Sequence, residues 1–208
     1  MDKDSKNLPT REKILDCAAN LFASKGYTET SIRELASAVG MKESSIYNHF
    51  PSKIAILENI LEEYSEITTT LYDQDMICGL KENPTPDGIM ACMKIQFPEN
   101  KTEFYLKRIY VILQEQHRNP IVRKFVCEQL ILGTEQVFRT VIEALKELGI
   151  LHPDTNADFW VRIHSSILYT FSNRSMLGIG DNSLGYTGMG LAELLYTQYD
   201  MMLKTCRI

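Results

Sequence analysis

Four consecutive polar residues, Lys-Glu-Ser-Ser at positions 42–45, follow Gly40 closely and precede the apolar Ile46. Their side chains suit hydrogen bonding to base edges. Serine donates or accepts at several bases, lysine donates to guanine, and a carboxylate accepts from the cytosine amino group. A solvent-facing side chain is an equally good interpretation of Glu43. The segment could therefore read a nucleic acid sequence if one rigid element presents it to a groove.

Histidines are the other residues that could take part in catalysis or bind a ligand or metal. His49 could act as a general base, but no serine or aspartate stands at a spacing that completes a catalytic set. His117 beside Glu115, or His164 near Arg162, could line a ligand or metal site. Neither an HExxH motif nor clustered Cys/His spacing accompanies them. We therefore expect no enzyme activity, no metal and no cofactor.

The elements that carry these residues are predicted to be helices throughout. Apolar residues recur with a period near 3.6 in several stretches, and no alternating strand pattern bounded by hairpin signals occurs. The clearest stretches contain Ile14, Ala18, Leu21 and Phe22; Ile54, Leu57, Leu61 and Tyr64; and Val137, Val141, Leu145 and Leu148. The sequence predicts an all-α fold.

Helix-ending and helix-starting residues divide the chain. Thr10 is a predicted N-cap and Gly26 a predicted end of the first helix. Ser31 and Glu34 have capping-box spacing, and the second helix should end near Gly40. A third helix is expected at residues 42–49, and prolines 51, 84, 86, 98, 120 and 153 precede or start further helices. Residues 73–87 are predicted to be a loop, and the glycine-rich stretch 178–190 a turn between the last two helices.

The stretch from Thr30 to Lys53, TSIRELASAVGMKESSIYNHFPSK, thus predicts a helix-turn-helix by spacing alone. Residues 46–53 (IYNHFPSK) and residues 22–27 (FASKGY) add a more specific pattern at fixed offsets. Together they resemble the TetR family of transcriptional repressors. The resemblance covers about fifty residues, and the remainder matches the family only in length and helical pattern.

The resemblance implies a DNA-binding domain at residues 1–52 and an effector-binding, dimerising domain at residues 53–208. Tyr47 and His49 match positions that hold the phosphate backbone, and Lys53 lies where a helix N-terminus attracts a phosphate. Many relatives have serine at position 42 and a basic or small residue at 43, so we expect weak non-specific affinity. The predicted DNA-binding residues are Thr30, Ser31, Lys42, Glu43, Ser44, Ser45, Tyr47, His49 and Lys53.

An apolar cavity is the second feature that the resemblance implies, within about six helices of the C-terminal domain. Aromatic rings and flexible methionines suit a mostly apolar ligand, although residues of the same types fill any helical core. The candidate pocket residues are Met90, Met93, Phe104, Tyr105, Ile109, Phe138, Trp160, Ile167 and Phe171.

The last two helices, predicted at residues 155–177 and 187–204, have more apolar surface than terminal helices need. The excess favours a four-helix interface with a second copy of the chain, in agreement with the resemblance. The predicted interface residues are Phe159, Ile163, Leu191, Leu195, Tyr199 and Met202.

Charge and composition agree with these expectations. Residues 1–55 contain eight Lys or Arg and seven Asp or Glu, so the acidic excess behind the net charge of −5 lies in the rest of the chain. No apolar stretch is long enough for a membrane span, and the first residues do not resemble a secretory signal. We expect a cytoplasmic protein whose five cysteines are thiols.

The sequence thus predicts a ligand-responsive, DNA-binding repressor that acts as a homodimer. Two other classes stay open. One is a helix-turn-helix protein that responds to a protein partner or organises DNA without a small ligand. The other, less favoured, is a small helical enzyme or carrier. Specific duplex binding would separate the first two from the third, and a fillable cavity would separate the first from the second.

Overall fold

The computed structural model describes residues 10–70, 84–89, 102–176 and 190–208. The chain forms two compact units: residues 1–66 with 99–125, and residues 67–98 with 126–208. In the described parts the regular elements are helices, which confirms the all-α prediction, and one isolated antiparallel bridge joins Leu151 to Arg207. The predicted domain boundary between residues 52 and 53 stays a prediction.

The helices have the following bounds. They are α1 (Thr10–Lys25), α2 (Ile32–Val39), α3 (Glu43–His49), α4 (Lys53–Thr70), α5 (Thr102–Glu115), α6 (Pro120–Phe125), a π-helix (Val126–Gly133), α7 (Thr134–Glu147), α8 (Ala157–Met176) and α9 (Leu191–Cys206). Residues 86–89 add one helical turn.

Local signals set the helix ends of the N-terminal unit as predicted. Gly26 and Gly40 end α1 and α2 with φ angles of 92° and 77°, in the left-handed region that glycine adopts without a steric penalty. Ser31 and Glu34 form the complete capping box. Hydrogen bonds from Lys25 and Ser31 lower the pKa of Glu34 to about 2. These ends place α2 and α3 in a helix-turn-helix.

The core of the N-terminal unit holds the two short helices on α1. Five apolar residues of this segment are buried, and Ile32 is half-buried. Apolar residues of α4, α5 and α6 are buried in the same unit. The buried residues of the helix-turn-helix are Leu35, Ala36, Val39, Ile46 and Phe50.

The C-terminal unit packs α7, α8 and α9 around an aromatic core. Helix α8 begins four residues after Pro153 rather than at that proline. The side chain of Asn156 accepts a hydrogen bond from the Phe159 amide at 3.1 Å, which satisfies a free N–H at the helix start. The helix therefore begins where its cap is, within a few residues of the predicted bound.

The π-helix from Val126 to Gly133 was not predicted. It continues α6, which begins at Pro120 as expected, and it leads directly into α7. A Cβ atom added at Gly133 would lie 3.3 Å from the Glu128 carbonyl oxygen, a close approach that favours glycine. Wider helical turns depend on packing and leave no periodic signal in the sequence.

Three predicted interface residues lie inside their own unit, which corrects their assignment. Leu195, Tyr199 and Met202 are at most 2% exposed and belong to the core formed with α7 and α8. On the same helix, Tyr196 and Met201 are exposed. The apolar period of α9 does not distinguish the side that faces the core from the side that faces solvent, and the dimer interface stays a prediction.

A histidine is buried in this core. The His164 ring stacks on Phe138 with ring centroids 4.1 Å apart, and its Nδ1 lies 3.3 Å from both Gln198 Oε1 and the Tyr199 hydroxyl oxygen. The Gln198 amide donates to the Trp160 carbonyl, so its oxygen faces the imidazole and Nδ1 donates. Burial lowers the pKa of His164 to about 4, although the Gln198 hydrogen bond acts in the opposite direction.

We predict that stability falls as the pH drops below 6.5. The pKa of His164 in the folded chain lies below the ordinary value of 6.5, so the unfolded chain takes up the proton first. The free energy of unfolding should fall by up to about 1.4 kcal/mol per pH unit between 6.5 and 4, and this group should contribute no dependence above that window. Urea unfolding from pH 7.5 to 5 measures it.

The matched control for that measurement is a pair of asparagine variants. His164→Asn keeps a donor near Gln198 but cannot titrate in this range, so its stability should depend less on pH. His117→Asn changes an exposed histidine and should behave like the wild type. An unchanged pH dependence in His164→Asn would contradict the buried neutral histidine.

Candidate DNA-binding site

The leading end of α3 presents the polar residues that the sequence singled out. Lys42, Glu43 and Ser44 are exposed and Ser45 is half-buried, whereas Ile46 is buried beneath them. Lys42 is the N-cap and makes no side-chain capping hydrogen bond. Short polar side chains at the start of a solvent-facing helix can approach base edges.

Tyr47 and His49, in the second half of α3, extend the same surface. Tyr47 is 49% exposed despite its large ring, and His49 is exposed at the last turn. Phe50, directly after the helix, is buried, and the Arg11 guanidinium lies 4.9 Å from its ring centroid. The helix is thus fixed by Ile46 and Phe50 while Tyr47 and His49 are available to an anion.

Thr30 and Ser31, two of the predicted phosphate contacts, have different surroundings. Thr30 is buried and its hydroxyl donates to the Gly26 carbonyl at 2.9 Å, so it closes the turn instead of facing a phosphate. Ser31 is exposed, although its Oγ accepts from the Glu34 amide at 3.1 Å. Only Ser31 of this pair remains accessible at the start of α2.

Lys53 is also engaged inside the protein. Its ammonium donates to the carbonyl oxygens of Tyr27 at 2.8 Å, Thr28 at 3.3 Å and Thr30 at 2.9 Å. It also lies 4.4 Å from the Tyr27 ring centroid. An ammonium has three N–H donors, so these three acceptors occupy all of them.

Sequence reasoning missed a second contact to the same turn. The buried carboxylate of Glu115, at the end of α5, accepts a hydrogen bond from the Tyr27 amide at 3.0 Å. The neighbouring Gln114 donates to the Ala23 carbonyl at 3.1 Å. Burial, followed by the charges of Glu115 and Glu58, raises the pKa of the Tyr27 hydroxyl. The separation of 88 residues explains why no local pattern revealed the contact.

The candidate pocket residues do not form a single described site. Met90 and Met93 lie outside the described residues, and the side chains of Phe104 and Tyr105 are not described. Ile109 is half-buried in the N-terminal unit. In the C-terminal unit, Phe138 and Trp160 are buried in the core, and Ile167 and Phe171 are half-buried.

Among the residues that the structure describes, no group of three or more His, Cys, Asp or Glu is placed to hold a metal ion. No helix within the described ranges is long and apolar enough to cross a membrane.

Comparisons with known proteins support the N-terminal assignment. The profile of the family described as bacterial regulatory proteins, tetR family, matches residues 14–60. The HTH-type transcriptional repressor KstR2 of Rhodococcus jostii is 32% identical over 90 residues, which are 43% of this chain and 44% of the relative. The nucleoid occlusion factor SlmA of Shewanella frigidimarina is 24% identical over 144 residues, 68% of this chain and 62% of that protein.

A solved structure extends the likeness to the whole fold. The ketosteroid transcriptional regulator KstR2 of Mycobacterium tuberculosis superposes with a TM-score of 0.58 at 18% identity, over 98% of both chains. These two curated relatives are matched over less than two thirds of their length, and their names describe a repressor and a nucleoid factor rather than enzymes. Residues 14–60 thus match the N-terminal domain of the tetR family of bacterial regulatory proteins, and the chain has the same overall fold as a solved transcriptional regulator.

Proposed function

We propose that the chain is a sequence-specific, DNA-binding transcriptional regulator that acts in the cytoplasm as a repressor. The observation that carries this proposal is the exposed polar end of α3, fixed from below by Ile46 and Phe50. A recognition helix needs exposed polar residues toward the groove and a rigid support. Ser44 and Ser45 would contact bases, whereas Tyr47 and His49 would contact phosphates.

Charge distribution supports the same proposal. Residues 1–55 have a balanced charge, and the acidic excess lies in the remainder of the chain. The exposed carboxylate of Glu43 reduces attraction to any phosphate it faces, so binding would depend on hydrogen bonds rather than on charge alone. Such a protein would discriminate among sequences more than a strongly basic one.

A homodimer is part of the proposal because the relatives are DNA-binding regulators and a palindromic site is bound by two copies of the DNA-binding domain. The exposed apolar side chains of α8 and α9 support it: Phe159 is 54%, Tyr196 41% and Met201 53% exposed. Ile163 and Leu191, also predicted at the interface, are half-buried. A second copy of the chain would cover this surface.

Release by a small, mostly apolar effector completes the proposal. Helix α4 spans 18 residues, about 27 Å at 1.5 Å per residue, and begins beside the helix-turn-helix. A rigid rod can convert a ligand-induced shift at one end into displaced recognition helices at the other. The effector would bind best to a conformation of the dimer in which the distance between the two recognition helices does not match that between successive major grooves.

The alternative is a regulator without a small ligand, one that responds to a protein partner or organises DNA. The likeness to a nucleoid occlusion factor over 144 residues favours keeping this alternative. The two functions differ in whether any small molecule changes the affinity for DNA.

We predict selective binding to a pseudo-palindromic duplex. Tyr47→Phe should weaken binding to all duplexes by the same factor, about tenfold, because it removes one hydrogen bond to a charged phosphate. Ser44→Ala should instead change which sequence binds best. Selection from a random-sequence library followed by titration measures both. A wild-type protein that enriches no duplex at moderate salt would contradict the proposal.

A dimer burying more than about 1,200 Å² in total is expected. Phe159→Glu should place a charge in the interface and give a monomer at micromolar concentration, as sedimentation would show. Leu132→Glu changes a similarly exposed apolar residue on the π-helix and should leave the dimer intact. Equal effects of the two variants would argue against the interface on α8 and α9.

Effector and DNA should weaken each other's binding by one common factor, since the coupling between two sites is reciprocal. Titrating each member of an apolar compound library with and without the selected duplex measures this factor. A compound that binds equally in both conditions shifts nothing. If no compound in a broad library lowers DNA affinity, the ligand-independent alternative gains support.

A further inference from the structure

The turn between α1 and α2 is held by side chains from two other helices of the N-terminal unit. Gly26 adopts a left-handed conformation and Thr30 is buried, so the chain between them cannot satisfy its polar groups with water alone. Charged side chains from two other helices do so instead. Lys53, at the start of α4, donates hydrogen bonds to three carbonyls of the turn, and Glu115, at the end of α5, accepts one from an amide of the turn.

Both charged groups act on one residue of this turn. The Tyr27 amide donates to Glu115, and the Tyr27 carbonyl accepts from Lys53. The Tyr27 ring contacts the Lys53 ammonium, 4.4 Å from its centroid, and the Phe22 ring, whose centroid is 5.2 Å away in an edge-on arrangement. Hydrogen bonds that involve an ion are roughly twice as strong as neutral ones. The turn backbone is therefore held on both sides.

The two helices that supply these groups are themselves joined. Arg108 on α5 is 1% exposed and pairs with Glu63 on α4 at 2.8 Å. The turn, α4 and α5 thus form a closed set of charged contacts within the N-terminal unit. Because Ser31 and the start of α2 follow the turn directly, the turn determines where α2, and with it α3, begins.

We propose that Lys53 and Glu115 are positioning residues for DNA binding, which fix the α1–α2 turn and do not contact phosphates. The inference rests on the proposed function and deepens it. Lys53 has no N–H donor left for a phosphate, and Glu115 is buried and negatively charged. Their effect on DNA passes through the orientation of α2 and α3.

The salt dependence of binding separates positioning from direct contact for Lys53. A lysine on a phosphate contributes about 0.9 to the slope of log affinity against log salt. Lys53→Gln should therefore lower affinity for the selected duplex about tenfold or more while leaving that slope unchanged. Lys124→Gln removes the same charge from an exposed position of α6 and should change neither quantity. A slope reduced by about 0.9, or an unchanged affinity, in Lys53→Gln would overturn the proposal.

A pair of variants at Glu115 gives an independent test with opposite expectations. Both Glu115→Met and Glu115→Gln remove a negative charge, which by itself strengthens DNA binding. Only glutamine keeps an acceptor for the Tyr27 amide. We expect the methionine variant to bind DNA about tenfold more weakly and the glutamine variant to retain most of the affinity. Equal or stronger binding by the methionine variant would overturn the proposal.

A measurement without DNA tests the contact at Tyr27 separately from the proposed DNA-binding function. Hydrogen exchange of the Tyr27 amide should be faster in Glu115→Met than in the wild type and Glu115→Gln, with unchanged circular dichroism. Unchanged exchange would overturn the role of Glu115 in fixing the turn even if DNA binding is confirmed. If the wild type selects no duplex but the exchange result holds, the proposed function fails while the structural contact stands.

Discussion

The helix-turn-helix depends on how the turn at residues 26–30 satisfies its backbone. The chain leaves α1 through the left-handed Gly26, and Thr30 at the other end of the turn is buried, so backbone polar groups on the buried side of the turn need partners from the protein. The ammonium of Lys53 is the partner of the turn carbonyls, and the carboxylate of Glu115 is the partner of a turn amide. These contacts hold the turn from two sides.

That constraint connects local sequence to surface chemistry. Once the turn is fixed, the capping box starts α2, Gly40 ends it, and α3 packs through Ile46 and Phe50. The exposed polar residues of α3 are then a consequence of the buried ones, because a seven-residue helix held by two apolar anchors has little freedom to rotate.

The sequence predicted the parts of this arrangement that local signals encode. Capping residues, left-handed glycines and the apolar period of α1 to α3 act over a few residues, and the structure agrees with them. The internal contacts of Lys53 could not be predicted because its three acceptors lie 23 to 26 residues away, and Glu115 was assigned no DNA-related role because its partner lies 88 residues away. Periodicity likewise cannot tell which apolar side of α9 packs on α7 and α8, so Leu195 and Tyr199 were placed on the wrong side.

A crystal structure of the protein with its selected duplex tests the account most directly, through the surroundings of one atom. With α3 in the major groove, the Lys53 ammonium should still contact the carbonyls of Tyr27 and Thr30, with no phosphate oxygen within hydrogen-bonding distance. Its release from those carbonyls to a phosphate, or a complex in which α3 lies outside the groove, would contradict the account.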